Sequence, residues 1–145
     1  MKAGTMRPFN AMAAASFVAL LVIALPGCWR GHDELDGTQW KLTEWSVSSL
    51  SPGDFHITAT FTDGQIHGHS GVNTYGGRYR LGARHAFSVG PLASTEMAGP
   101  EPAMRAERAY MTLLGQARSY RLAEGRLTLV DAGGNEALIF AAVGR

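Results

Sequence analysis

Two dipeptides, Asp63-Gly64 and Glu124-Gly125, constrain this chain more than any other feature. Each sits between runs of alternating apolar residues, and a two-residue connection between such runs specifies a hairpin whose register follows from the turn. At the first turn Thr62 pairs with Gln65, so Phe61 faces Ile66 and Ala59 faces Gly68 on the inner side. Thr60 then meets His67 and Thr58 meets His69 on the outer side. The small Ala59–Gly68 pair leaves room inside for a large ring or a closely approaching helix. At the second turn Leu122 faces Leu127 and Tyr120 faces Leu129, with Arg121 and Thr128 outward. Both registers segregate apolar from polar side chains, and strands joined by such short turns are antiparallel.

The remaining elements fit around these hairpins. Trp40 and Leu42 share one face of a strand over Gln39 to Val47, with Lys41 and Thr43 on the other. Pro52-Gly53 marks the loop that follows, and Arg78 to Leu81, Ala86 to Val89 and Glu136 to Ala142 read as further strands, with Leu92 to Thr95 extending the sheet. Between them, His69 to Tyr79 holds Gly71, Asn73, Gly76 and Gly77. This predicts a corner in which the glycines turn the chain, Asn73 bonds neighbouring backbone, and Tyr75 or Tyr79 packs toward a helix. The helix itself is predicted over Pro100 to Ala117, where Pro102 and Glu101 suit the first turn. Met104, Met111 and Leu114 line one side, with Ala103, Tyr110 and Ala117 beside them and Glu107 within the stripe. The expected fold class is α+β: a mainly antiparallel curved sheet or open barrel, wrapped around or capped by one α-helix.

A chain of 145 residues suits one core. Its first part reads as an address. Lys2 and Arg7 precede an apolar run from Ala11 to Leu25, which fits a signal segment and is short for a membrane span. Leu25-Pro26-Gly27-Cys28 follows and is similar to a bacterial lipobox, in which the cysteine is acylated and becomes the first mature residue. Cys28 is the single cysteine, so an intramolecular disulfide is impossible and lipidation gives its position a reason. Trp29, rather than Asp, follows it, which by resemblance to envelope sorting signals favours the outer membrane. The expected organisation is a signal peptide over 1–27, a lipidated cysteine and polar tether over 28–36, and a domain over 37–142 beginning near Leu35. The expected location is the bacterial envelope, lipid-anchored and facing the periplasm. A net charge of +1, without a basic stripe interleaved with aromatics, argues against a nucleic-acid partner.

Candidate chemistry is sparse. His67 and His69 share an outward face about 6.6 Å apart, and His56 lies diagonal to His69 in the inferred register. Three imidazoles can hold a divalent metal, yet no Asp or Glu stands at a ligand spacing, and the set reads as surface histidines. Glu107 on the apolar stripe is either a proton-transfer group or an acceptor for donors from the glycine-rich corner or an Arg; no His, Ser or second carboxylate nearby in sequence completes an acid–base set. Ser70 lacks a nucleophile elbow, and Gly76-Gly77 and Gly133-Gly134 lack the strand-to-helix setting of a phosphate loop. No catalytic residue, cofactor or metal is expected, and the chain reads as a non-enzyme.

Gly37-Thr38-Gln39-Trp40-Lys41-Leu42, Gly71 to Tyr79, Thr95-Glu96-Met97-Ala98, and Met104, Glu107 and Leu114 on the helix together resemble the META domain of HslJ-like bacterial lipoproteins. The resemblance implies antiparallel strands around a helix, an envelope address and links to stress and antibiotic resistance, with no established catalytic residues. It assigns Gly71, Asn73, Tyr75, Gly76, Tyr79, Thr95 and Glu107 to a structural motif. Family members often carry Cys at the places held here by Val72 and Gly99, and their joint absence fits loss of a paired role such as a disulfide. The resulting expectation is a membrane-anchored binding or protective module for an envelope component under stress. Its alternative is a binder of a small apolar ligand or antibiotic in the interior of the curved sheet.

Overall fold

The computed structural model describes residues 33–47 and 49–144; the signal segment and Cys28 lie outside them. Among the described residues nine strands and one α-helix follow in order: β1 (Thr38–Trp45), β2 (Thr58–Thr62), β3 (Gln65–His69), β4 (Thr74–Gly82), β5 (Ala86–Val89), β6 (Ala93–Ser94), α1 (Glu101–Gln116), β7 (Ala117–Ala123), β8 (Arg126–Asp131) and β9 (Glu136–Ala142). Both hairpins take the expected registers, Thr62 opposite Gln65 and Leu122 opposite Leu127. In each turn both central residues have positive φ, 51° and 73° at Asp63 and Gly64, 50° and 73° at Glu124 and Gly125. That is the turn whose twist matches the flanking strands.

The sheet runs β3-β2-β1-β9-β8-β7-β5-β4, and a further antiparallel β3–β4 pairing joins its ends. The result is a closed eight-stranded barrel rather than the open one expected. Closure follows from the length of β4. Its first half pairs with β3 from Gln65↔Arg78 to His69↔Thr74, and its second half pairs with β5 from Tyr79↔Val89 to Gly82↔Ala86. The short β6 continues along the β5 edge of β4. The seam between β5 and β7 is the thinnest, with Ala86↔Ser119 as its one strand pairing.

β4 also corrects the reading of the glycine-rich stretch. The turn is confined to Ser70–Asn73, and Gly71 alone among its glycines has a left-handed backbone, φ 119°. Gly76 and Gly77 lie inside the strand. Gly77 serves a close approach instead, because a Cβ there would stand 2.8 Å from both the Leu92 side chain and the Pro91 carbonyl.

The helix caps the barrel with a narrow face. Ala106, Tyr110 and Leu114 are fully buried, spaced four residues apart, while Met104 and Met111 are only half-buried. The centre of the stripe is therefore one step round from the methionines, and the outer side of α1 is exposed rather than wrapped. Tyr110 packs edge-on against Tyr75 and Phe140, with ring centroids 5.4 and 6.4 Å away. The room expected beside Ala59 and Gly68 is closed by backbone: a Cβ on Gly68 would run into the Thr58 carbonyl, and Tyr75 stands directly across from Gly68 on β4. Phe61, Ile66, Leu127, Leu129, Leu138 and Phe140 fill the remaining interior. Residues 33–36, assigned from sequence to the tether, fold with the barrel. Leu35 is fully buried, and the Asp36 carboxylate accepts the Asp63 N–H at 2.7 Å.

Candidate functional site

The motif residues converge on a polar clamp between the end of β3, the segment after β6 and the first half of α1. Ser70 and Asn73 are buried, whereas Glu107 is half-buried on α1. One Glu107 oxygen, Oε2, accepts the Ser70 hydroxyl at 2.6 Å and the Asn73 backbone N–H at 2.8 Å. The other, Oε1, accepts the Asn73 side-chain amide at 2.8 Å. Asn73 spends its remaining capacity on the neighbouring segment. Its Oδ1 accepts the Met97 N–H at 2.7 Å and the Thr95 hydroxyl at 2.8 Å, and its amide also donates to the Met97 carbonyl at 3.2 Å. The Asn73 carbonyl accepts the Ser70 N–H at 2.9 Å, closing the turn around Gly71. A Cβ on Gly71 would lie 3.3 Å from the Ala103 carbonyl, so the turn sits directly against the helix.

These contacts decide what Glu107 can do chemically. Burial pushes its carboxyl up, but the donors from Ser70 and Asn73, with the backbone N–H of Asn73 and Val72, outweigh that effect and hold it below the ordinary carboxylate range. A carboxylate that is ionised and shared among fixed donors is a poor proton carrier. It is suited to fastening three chain segments together.

Tyr75 extends the clamp into the core. Its hydroxyl donates to the Thr58 carbonyl at 2.9 Å and lies 2.5 Å from the Tyr110 hydroxyl. Since the Tyr75 proton is committed to Thr58, Tyr110 is the donor of that pair. Burial pushes both phenols well above the usual tyrosine value. Tyr79 goes elsewhere: it packs edge-on against Phe61 and donates to the Asp33 carboxylate at 2.6 Å. Burial raises it, as do that hydrogen bond and the negative charges of Asp33, Asp36 and Asp63. Asp33 had no signal in the sequence, because nothing local distinguishes it from the acids of the tether. Gly76 faces outward on β4 with His67 across one edge and Ala93 across the other.

Val72 and Gly99 are neighbours. A Cβ placed on Gly99 would lie 3.5 Å from the Val72 Cβ and 2.8 Å from one of its methyls. Of the three outward histidines, His56 and His69 meet with ring centroids 4.9 Å apart. Among the described residues no three metal-ligating side chains gather into a metal-holding group. At one end of the barrel an open pocket of about 610 Å³ is lined by Glu34, Thr38, Gln39, Trp40, Leu122 and Val143 among others.

The META domain model matches residues 33–144. Among solved structures, the chain is similar to a protein from Burkholderia xenovorans solved by NMR, with TM-score 0.64 and 28% identity over 77% of this chain and 85% of that one. It also shares the fold of a DUF4847 family protein from Bacteroides vulgatus, with TM-score 0.55 and 14% identity over 74% and 94% of the two chains. No curated protein matches it.

Proposed function

The chain belongs to the META domain family, and from that premise we propose that it is a non-enzymatic envelope lipoprotein whose barrel binds or protects another envelope component under stress. The carrying observation is the state of Glu107. As the charged member of the motif it has both oxygens engaged by Ser70 and Asn73, and the motif spends its polar groups on its own scaffold. With Tyr75, Tyr110, Leu114 and Phe140 filling the barrel, recognition belongs to the outer surface. An apolar ligand would have to use the open pocket beside Trp40 and Val143 rather than the interior.

The anchor in this proposal is a lipid on Cys28, carried by Leu25-Pro26-Gly27-Cys28 five residues before the first described residue, Asp33. A multi-chain lipid contributes about 0.8 kcal/mol per buried methylene and holds a domain of this size on a membrane, oriented toward the periplasm from the outer membrane. Cell fractionation tests the anchor: Cys28→Ser moves the protein from the membrane to the soluble fraction, and unchanged fractionation sinks the lipobox. Complementation tests the role. Wild-type protein restores stress survival to a strain lacking it, whereas Cys28→Ser does not; equal rescue by both removes the envelope reading.

A further inference from the structure

The outer wall of the barrel is divided by charge. On one side, ion pairs tie Arg121 to Glu136 and Arg126 to Glu44 across β7, β9, β8 and β1. On the other, β2, β3, β4, β5 and β6 contain no Asp or Glu, yet carry Arg78, Arg80, His67 and His69, all exposed. Among the described residues the Arg–carboxylate pairs are made by Arg108, Arg121 and Arg126, not by Arg78 or Arg80.

Arg78 and Arg80 point the same way from β4, about 6.6 Å apart along the strand. With Ser88, Val89, Gly90 and Pro91 they line a depression of about 290 Å³. The same strand continues past Gly76, where the missing side chain lowers the surface. Two further depressions flank it, one of about 280 Å³ beside Ser94 and Thr95 and one of about 310 Å³ beside Thr58, Thr60 and His67. Both include Thr74, so they adjoin one another along β4.

The chemistry of this strip is specific. Two guanidiniums on a rigid strand present planar forks to an oxyanion and repel one another without it. The hydroxyls of Thr58, Thr60, Thr74, Ser88 and Ser94 beside them suit a polyol. A protein that binds a lipid surface sets large apolar side chains beside its cations; the outward positions of these strands hold none. We propose that the outer face of β2 to β6 binds an acidic polysaccharide, Arg78 and Arg80 gripping the anionic group of one sugar while the hydroxyl-lined depressions take its neighbours. This deepens the reading of the protein as a surface-binding module and rests on it.

Calorimetric titration of the full-length protein in detergent with oligogalacturonate tests the proposal. Saturable binding is expected, weakening with salt. The double variant Arg78→Gln with Arg80→Gln loses at least about tenfold in affinity, as loss of charge-assisted pairs requires, and its melting temperature stays unchanged. Arg121→Gln, on the ion-paired wall, removes one positive charge elsewhere and keeps full affinity. Absence of saturable binding overturns the proposal, as does an equal loss in Arg121→Gln, which would mark generic charge attraction. So does equal binding of neutral dextran, or an affinity for inorganic phosphate as high as that for the oligosaccharide. None of these outcomes alters the fractionation of Cys28→Ser, so failure here and failure of the lipoprotein reading remain distinguishable.

Discussion

Glu107 and Glu136 are both carboxylates in contact with donors, yet they sit in regions built on different physics. Glu136 pairs with Arg121 on the open wall, where the two side chains are 53% and 61% exposed. Water screens that pair, and each partner gives up side-chain entropy to hold it. Glu107 meets neutral donors whose positions are set by the Ser70–Asn73 turn, at a half-buried site where hydrogen bonds to an ionised group count for more. The contrast teaches that the motif's polar residues act as internal fasteners. The wall's charges pair with one another in water.

The largest loss belongs to Asn73. Asn73→Ala removes the side-chain amide from Glu107 and the acceptor from the Met97 N–H and the Thr95 hydroxyl, costing about 2 kcal/mol, most of it the lost bond to an ionised carboxylate. Urea denaturation measures it, and a loss no greater than that of a wall variant would break the contrast. Next, Val72→Cys with Gly99→Cys forms a disulfide, because the Cβ positions are 3.5 Å apart. Closing that loop adds about 2 to 4 kcal/mol. Its melting temperature rises and falls back with reductant; two thiols that stay free in oxidised protein refute the geometry.

A smaller effect follows from pH. The folded-state Glu107 carboxyl is held below its ordinary value, so its contribution is complete above the ordinary carboxylate range and is lost as pH falls through the folded value. Asp131 behaves similarly, held down by the backbone and side-chain donors of Asn135 and the N–H of Gly133. The melting temperature of the wild type therefore declines more steeply in acid than that of Glu107→Gln, and parallel curves would remove Glu107 from the account. The smallest effect is on the wall: Arg126→Ala breaks the exposed pair with Glu44 and changes stability by only about 0 to 1 kcal/mol.

What the sequence disclosed depended on the range of the interaction. The registers at Asp63-Gly64 and Glu124-Gly125 were legible because a two-residue turn leaves the chain one way to pair. The helix was legible from its composition and first-turn residues, and the structure has Glu101–Gln116. Barrel closure was not, since β3–β4 pairing requires the strand to begin at Thr74, inside a stretch whose glycines suggest a turn. Gly77 is glycine for the sake of Pro91 and Leu92, a contact that local propensity does not encode. Ala106 escaped notice because its small side chain contributes little to an apolar stripe, although it is fully buried. In the clamp, Glu107 stood out as a charge on an apolar face, whereas the bond between Tyr79 and Asp33 spans 46 residues and left no local trace.

The thin β5–β7 seam gives the closed barrel a latent edge. Eight ladders do not share the load equally when one consists of Ala86 opposite Ser119, and the neighbouring turn holds Arg84 and His85 at φ 57° and 59°, a conformation most side chains resist. Breathing motions should therefore start there, with amides of β5 exchanging with solvent before those of β8 and β9, which a long ladder joins to one another. Opening at that seam would uncover two strand edges at once, on either side of the connection that carries α1. That seam, rather than the β3–β4 closure, is thus the place where this protein is most exposed to proteases and to mispairing with its own copies.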